Sequence, residues 1–310
     1  MFEPISGVIP VMITPYTDDN KIDYESLKKL IDWYIDNNVD ALFAVCQSSE
    51  MIFLSFEERV ALSKFVVEYT NKRVPVISSG HISDDIEEQK KELLAVAQTK
   101  PDALVLVSNH LDPKKEGTAV FKKNLDILLE ALPKDLPLGV YECPAPYRRL
   151  LTDEEITYMA KTGRFVVIKD VSCDLETVKR RVELVKGTPL AIVNANAAIA
   201  YPAMLAGARG FCGVMNNVHP ELYAFLLAQG DKRSAEVDEL ARFMSMAALS
   251  ERYGYPDIAK FILQKKGILK NHYSRTNKWT NFLDNNWACD VVAQQIIDGT
   301  DAYKKKFGIK

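Results

Sequence analysis

Short apolar, β-rich runs recur along this chain at intervals of roughly 25–35 residues, and a charged amphipathic stretch follows each one. They are Val8–Thr14, Ala41–Cys46, Val74–Ser78, Ala103–Val107, Leu138–Tyr141, Phe165–Lys169, Leu190–Val193 and Gly210–Val214. Parallel strands cannot be joined by a tight hairpin, so strands alternating with helices imply a parallel sheet covered by its own crossovers. Eight β–α units ending near Gly230 are the number that closes a (β/α)8 barrel, whereas an open doubly wound sheet usually carries about five to seven strands. No Gly-x-Gly-x-x-Gly follows the first run, which removes the main signal for a dinucleotide-binding sheet. The sequence therefore predicts an α/β fold: a (β/α)8 TIM barrel over residues 1–230 with a C-terminal helical extension over 231–310.

Helix starts agree with this division. Asp23, Ser55 and Thr152 each stand before a charged helical stretch, and Ser55 with Glu58 has the spacing of a capping box. Beyond Gly230 the strand signal ends, and 231–250, 258–266 and 288–305 read as helices packed on the barrel or on a neighbouring subunit.

The partner is expected to be small. A net charge of −3 supplies no basic footprint for nucleic acid or anionic membrane, and no apolar run is long enough to span a bilayer. The N-terminus lacks a basic stretch followed by an apolar one, so the expected location is cytoplasmic. Five scattered cysteines without a Cys-x-x-Cys pair suggest reduced thiols, not a disulfide framework or a zinc ribbon.

In a barrel of this kind the chemistry sits at the C-terminal ends of the strands. Lys169 closes the apolar run of strand 6, where burial would disfavour the charged form of an amine and leave a nucleophile that condenses with carbonyls. A strand-end lysine can equally pack its stem and keep its head in solvent or beside Asp170. Tyr141 closes strand 5 and should stand beside Lys169, as a phenol able to give and take a proton. The turn Gln47-Ser48-Ser49-Glu50 offers hydroxyls, an amide and backbone N–H groups suited to a carboxylate, although such turns often only cap helices. Gln47, His81, His110, Asn194, Asn196 and Asn217 are further strand-end candidates for the distal end of a substrate. His81, His110 and His219 could alternatively converge on a metal, but they lack ligand spacing.

Four segments together resemble the dihydrodipicolinate synthase and N-acetylneuraminate lyase family of Schiff-base-forming barrels. They are Gly7-Val8-Ile9-Pro10-Val11-Met12-Ile13-Thr14-Pro15-Tyr16, the turn ending in Glu50, Tyr141-Glu142-Cys143-Pro144, and Val167-Ile168-Lys169-Asp170. Gly207–Gly213, Asn217–Pro220 and Tyr255-Pro256 with Lys260 extend the likeness along essentially the whole chain.

The resemblance implies a lyase or aldolase in which Lys169 forms an imine with pyruvate or another 2-oxo acid and Tyr141 is the acid/base. It implies that Ser48 passes protons to this tyrosine, that Ser48 and Ser49 hold the substrate carboxylate, and that no cofactor or metal is needed. Gln47, Asn194, Asn196 and His110 complete the expected substrate-binding set, with an aldehyde as second partner, a 2-keto-3-deoxy sugar acid among the candidate substrates, and a homo-oligomer, dimer or tetramer, as the assembly.

Departures from the family pattern narrow the activity. Cys46-Gln47-Ser48-Ser49-Glu50 replaces Gly-Thr-Thr-Gly-Glu, and Leu111, with His110 beside it, replaces a tyrosine lent between subunits. Pro146 takes the place of the entrance arginine, with Arg148 and Arg149 nearby, and Asn196 and Ala197 replace the acidic residues of the sugar-acid lyases. The alternatives are dihydrodipicolinate synthase proper and a non-catalytic barrel that binds 2-oxo acids.

Overall fold

The computed structural model describes residues 2–278 and 282–310. Eight parallel strands are present: β1 (Gly7–Val8), β2 (Leu42–Phe43), β3 (Val76–Ser78), β4 (Ala103–Val107), β5 (Leu138–Tyr141), β6 (Phe165–Asp170), β7 (Ala191–Asn194) and β8 (Gly210–Phe211). They are ordered β1-β8-β7-β6-β5-β4-β3-β2, and a parallel bridge between Val11 and Phe43 joins the two ends into a closed barrel.

The first, second, third and eighth strands are shorter than the apolar runs predict. Pro10 has no N–H to donate to a neighbouring strand, so regular pairing of the first run stops at Val8 and resumes only at the Val11 bridge. At the β1–β8 seam, a Cβ on Gly210 would lie 1.9 Å from the Gly7 carbonyl oxygen, so only glycine allows this approach.

Helices α1 (Tyr24–Asp36), α2 (Phe56–Thr70), α3 (Ile86–Ala97), α4 (Thr118–Ala131), α5 (Asp153–Lys161), α6 (Leu175–Leu184), α7 (Ala200–Leu205) and α8 (Pro220–Gln229) follow the strands in turn. The start signals behave as read: Asp23 accepts from Glu25 and Ser26 N–H, and Ser55–Glu58 and Thr152–Glu155 form reciprocal capping boxes. Three more helices, α9 (Ala235–Ala247), α10 (Asp257–Lys265) and α11 (Cys289–Phe307), follow α8. No helix among the described residues is long and apolar enough to cross a membrane.

Strand alternation sorts the core into two layers. Leu104, Leu106, Val140, Ile168 and Ile192 pack outward against helices, while Val105, Val107, Tyr141, Val167 and Val193 belong to the cluster filling the barrel. Lys169 lies two residues beyond Val167 and shares its inward face, whereas Asp170 and Glu142 point outward. There they meet Arg181 of α6, whose guanidinium binds Glu142 at 2.7 Å and also pairs with Asp170. Glu142 additionally accepts the N–H groups of Leu151 at 2.6 Å and Val171 at 2.8 Å. This buried ionic cluster fixes the loops that leave the two strands carrying Tyr141 and Lys169.

Candidate active site

The β5–β6 register pairs Tyr141 directly with Lys169. Both side chains are buried, and the Lys169 Nζ lies 4.0 Å from the centroid of the Tyr141 ring. Among the described residues, Nζ makes no hydrogen bond or ion pair; the thiols of Cys143 and Cys212 and the carboxyl of Glu251, which lines the same cavity, are close enough to feel its charge. Asp170, the expected alternative partner, is turned away and committed to Arg181. An amine at the barrel mouth that is held in no ion pair is free to meet a carbonyl.

Burial pushes the Tyr141 hydroxyl well above the ordinary phenol range, with Cys143 and Cys46 adding to the effect. That hydroxyl donates to Gln47 Oε1 at 3.2 Å, and the Cys143 thiol donates to the same oxygen at 3.3 Å. Gln47, not Ser48, is therefore the residue of the turn that meets Tyr141 in this structure. The 3₁₀ turn Gln47–Ser49 starts after an extended Cys46, and the longer glutamine side chain spans the gap to strand 5. An amide oxygen accepts a proton in a hydrogen bond but has none to pass on.

Ser48 lines the same cavity with its hydroxyl near that of Tyr255. Asn217 Nδ2 donates to that hydroxyl at 2.9 Å and to the Val11 carbonyl at 2.9 Å, while Tyr34 donates to Asn217 Oδ1. The resulting chain Tyr255–Asn217–Tyr34 runs from the cavity beside Ser48 into the barrel wall. Sequence reading singled out Tyr255 only for its likeness to the family's C-terminal region; nothing in the sequence signals its meeting with Ser48.

Other expected residues are placed elsewhere. Ser49 is fully buried, its hydroxyl 2.8 Å from both the Met12 and Ala44 carbonyl oxygens and accepting from Cys46 N–H at 3.1 Å, so it braces the turn and does not reach the cavity. Asn194 is also buried, donating to the Asn196 carbonyl at 2.7 Å. Asn196 lines the cavity, but its side-chain oxygen accepts from Ala198 and Ile199 N–H. His110 pairs with Asp84 at 2.7 Å and packs its ring 5.3 Å from that of His81, away from the residues that line the Lys169 cavity.

Neither loop arginine enters the cavity. Arg148 donates to the Val171 carbonyl at 3.0 Å and to that of Ser172, while Arg149 is buried between Asp112 at 3.0 Å and Glu155 at 2.7 Å. The arginine that does line it is Arg252, from the 3₁₀ turn Ala248–Tyr253. His219 binds Thr300 of α11 and does not join His81 and His110, and no group of three metal-binding side chains occurs among the described residues.

The cavity, of roughly 640 Å³, thus joins strand-end residues of the barrel to residues of the C-terminal segment. Comparison with known proteins agrees with this geometry: residues 4–276 match the dihydrodipicolinate synthetase family. The chain belongs to that family. It is a Schiff-base lyase of the class I aldolase kind. A 4-hydroxy-tetrahydrodipicolinate synthase of Neisseria meningitidis serogroup B is 29% identical over 222 residues, covering 71% of this chain and 74% of the relative. A dihydrodipicolinate synthase from Bacillus anthracis superposes with a TM-score of 0.83 at 23% identity, covering 96% of this chain and 99% of the other. CdNal from Clostridium difficile, solved with mannosamine, has a TM-score of 0.82 at 16% identity, covering 96% of this chain and 99% of the other. These two structural likenesses bear on the fold.

Proposed function

We propose that the chain makes or breaks a carbon–carbon bond of pyruvate or another 2-oxo acid through an imine on Lys169. The observation that carries this reading is the pairing of Tyr141 with Lys169, which sets an amine outside any ion pair beside a buried phenol. The amine adds to the keto carbon and water leaves. The resulting iminium nitrogen takes up the electron pair released when the C3–C4 bond breaks, or returns it to C3 when that bond forms. Tyr141, kept protonated by its burial, gives a proton to the departing carbinolamine oxygen and recovers it on hydrolysis. Gln47 orients the phenol, and Ser48, beside Tyr255, receives the substrate carboxylate.

Dihydrodipicolinate synthesis itself has against it Pro146 at the entrance position and a buried Leu111 where a relay tyrosine would be expected. The same reading has the enzyme work in the cytoplasm as a homo-oligomer, dimer or tetramer, whose mass light scattering measures. Its test is incubation with pyruvate and borohydride, followed by intact mass and peptide mapping with Lys169→Ala as control. A reduced adduct on Lys169 supports it; no adduct with pyruvate or larger 2-oxo acids leaves a binding barrel as the better reading.

A further inference from the structure

The cavity wall beyond Lys169 has a chemistry of its own. Ile52, Phe53 and Leu249 are large apolar side chains left 53%, 44% and 58% exposed, and all three line this cavity. Ile52 and Phe53 come from the 3₁₀ turn Met51–Phe53 directly after Glu50, and Leu249 comes from the turn preceding Tyr255. Val214, Val171 and Pro144 continue the apolar lining.

Several polar groups that share the wall are already used. Gln47 Oε1 serves Tyr141 and Cys143, the Asn196 side-chain oxygen caps a turn, and the Thr276 hydroxyl donates to Glu50 at 3.1 Å, while Glu251 and Arg252 attract each other's charge. Hydroxyl groups laid against the Ile52, Phe53 and Leu249 side chains meet only hydrocarbon on those three, whereas an apolar body there removes exposed apolar surface from solvent.

We infer that the second substrate is an aldehyde whose carbonyl carries an aromatic or branched aliphatic body, not a polyhydroxylated chain. This rests on the imine chemistry proposed above and names its partner. C3 of the Lys169-bound enamine attacks the aldehyde carbon, and the new carbon–carbon bond uses the enamine electron pair. The carbonyl π pair moves to the aldehyde oxygen, which takes one proton. The water released when the imine formed is consumed when it is hydrolysed. The product is a 4-hydroxy-2-oxo acid, and no oxidant or reductant is involved; the reverse reaction returns the same atoms.

The test compares benzaldehyde and isobutyraldehyde with glyceraldehyde and erythrose as acceptors for pyruvate, with borohydride trapping of pyruvate on Lys169 run in parallel. The expected result is a kcat/KM at least about tenfold higher for the apolar aldehydes, with Phe53→Ser and Leu249→Ser each reducing that preference by roughly tenfold. Trapping on Lys169 together with equal or better use of the polyhydroxylated aldehydes overturns this inference and leaves the imine chemistry standing. Failure of trapping overturns both. Serine variants that change the mass of the assembly in light scattering while leaving aldehyde preference untouched also overturn it, because the apolar wall would then be a contact between copies.

Discussion

The Lys169 amine sits over the face of the Tyr141 ring, 4.0 Å from its centroid, while the Tyr141 hydroxyl points to Gln47. Ring and hydroxyl therefore have separable duties: the π face holds the amine in place, and the hydroxyl moves protons. Tyr141→Phe keeps the face and removes the proton donor. Borohydride should still trap pyruvate on Lys169 in this variant, but more slowly because imine formation has lost its proton donor, while turnover falls by about 10²–10⁴. Tyr141→Leu removes the face as well and should slow trapping further. Turnover of Tyr141→Phe near the wild-type rate would show that the proton comes from elsewhere.

Tyr255 makes a second prediction, because its hydroxyl lies near Ser48 and accepts from Asn217. Tyr255→Phe takes away the hydroxyl beside Ser48 and leaves one Asn217 N–H without its acceptor, at a cost of about 1–3 kcal/mol in stability. If Ser48 receives the carboxylate, the KM for pyruvate should rise roughly tenfold with a smaller change in kcat, as expected for lost ground-state binding. Steady-state kinetics with urea melts of both proteins separate the two effects. An unchanged KM would remove Ser48 from the carboxylate site.

How far the sequence could be read follows from what each residue depends on. The eightfold alternation and the meeting of Tyr141 with Lys169 are properties of strand order and strand ends, and these are written linearly in the chain. The turn Gln47–Ser49 is different: which side chain meets Tyr141 depends on how a single 3₁₀ turn leaves Cys46, and the sequence carries no sign that it is Gln47. Ser49 and His110 look like site residues because they are polar and near strand ends, yet their hydrogen bonds go to backbone carbonyls and to Asp84, respectively. Arg181 carries no local signal. Its place against Glu142 and Asp170 exists only once α6 packs on β5 and β6.

Cys173 offers a chemical test of the cavity. It is the exposed one of the five cysteines, it lines the cavity, and its φ of 59° lies in the left-handed region that disfavours side chains with a Cβ. Iodoacetamide should therefore modify Cys173 well ahead of the four buried thiols and slow pyruvate turnover by obstructing the mouth. Prior reduction of the pyruvate adduct should protect it, as peptide mass mapping would reveal. Cys173→Gly should abolish the rapid modification and leave the fold at least as stable, because glycine takes up this φ without strain. Rapid labelling of any other cysteine would contradict the arrangement of the cavity.

Stability should depend on pH through two histidines outside the site. Burial pushes both His81 and His219 down to about 3. The Thr300 hydroxyl donates to the Ile296 carbonyl at 2.7 Å, so it must accept from His219 Nδ1 at 3.2 Å, and the proton on that ring is thereby assigned. His219 Nε2 has no hydrogen-bond partner among the described residues, so a second proton would place an unpaired charged N–H in the core. In the unfolded chain an ordinary histidine titrates near about 6.5. Above that pH both states are neutral and the full stability is present. As the pH falls from about 6.5 toward 3, the unfolded state takes up protons that the folded state refuses, and stability is lost at a limiting slope of about 1.4 kcal/mol per pH unit for each histidine. His219→Leu removes one of the two contributions and leaves Thr300 bonded to Ile296. Urea unfolding between pH 6.5 and 5, where ordinary carboxylates are still largely ionised, should show a clearly shallower loss of stability in this variant than in the wild type. Equal slopes would mean that His219 is protonated in the folded protein.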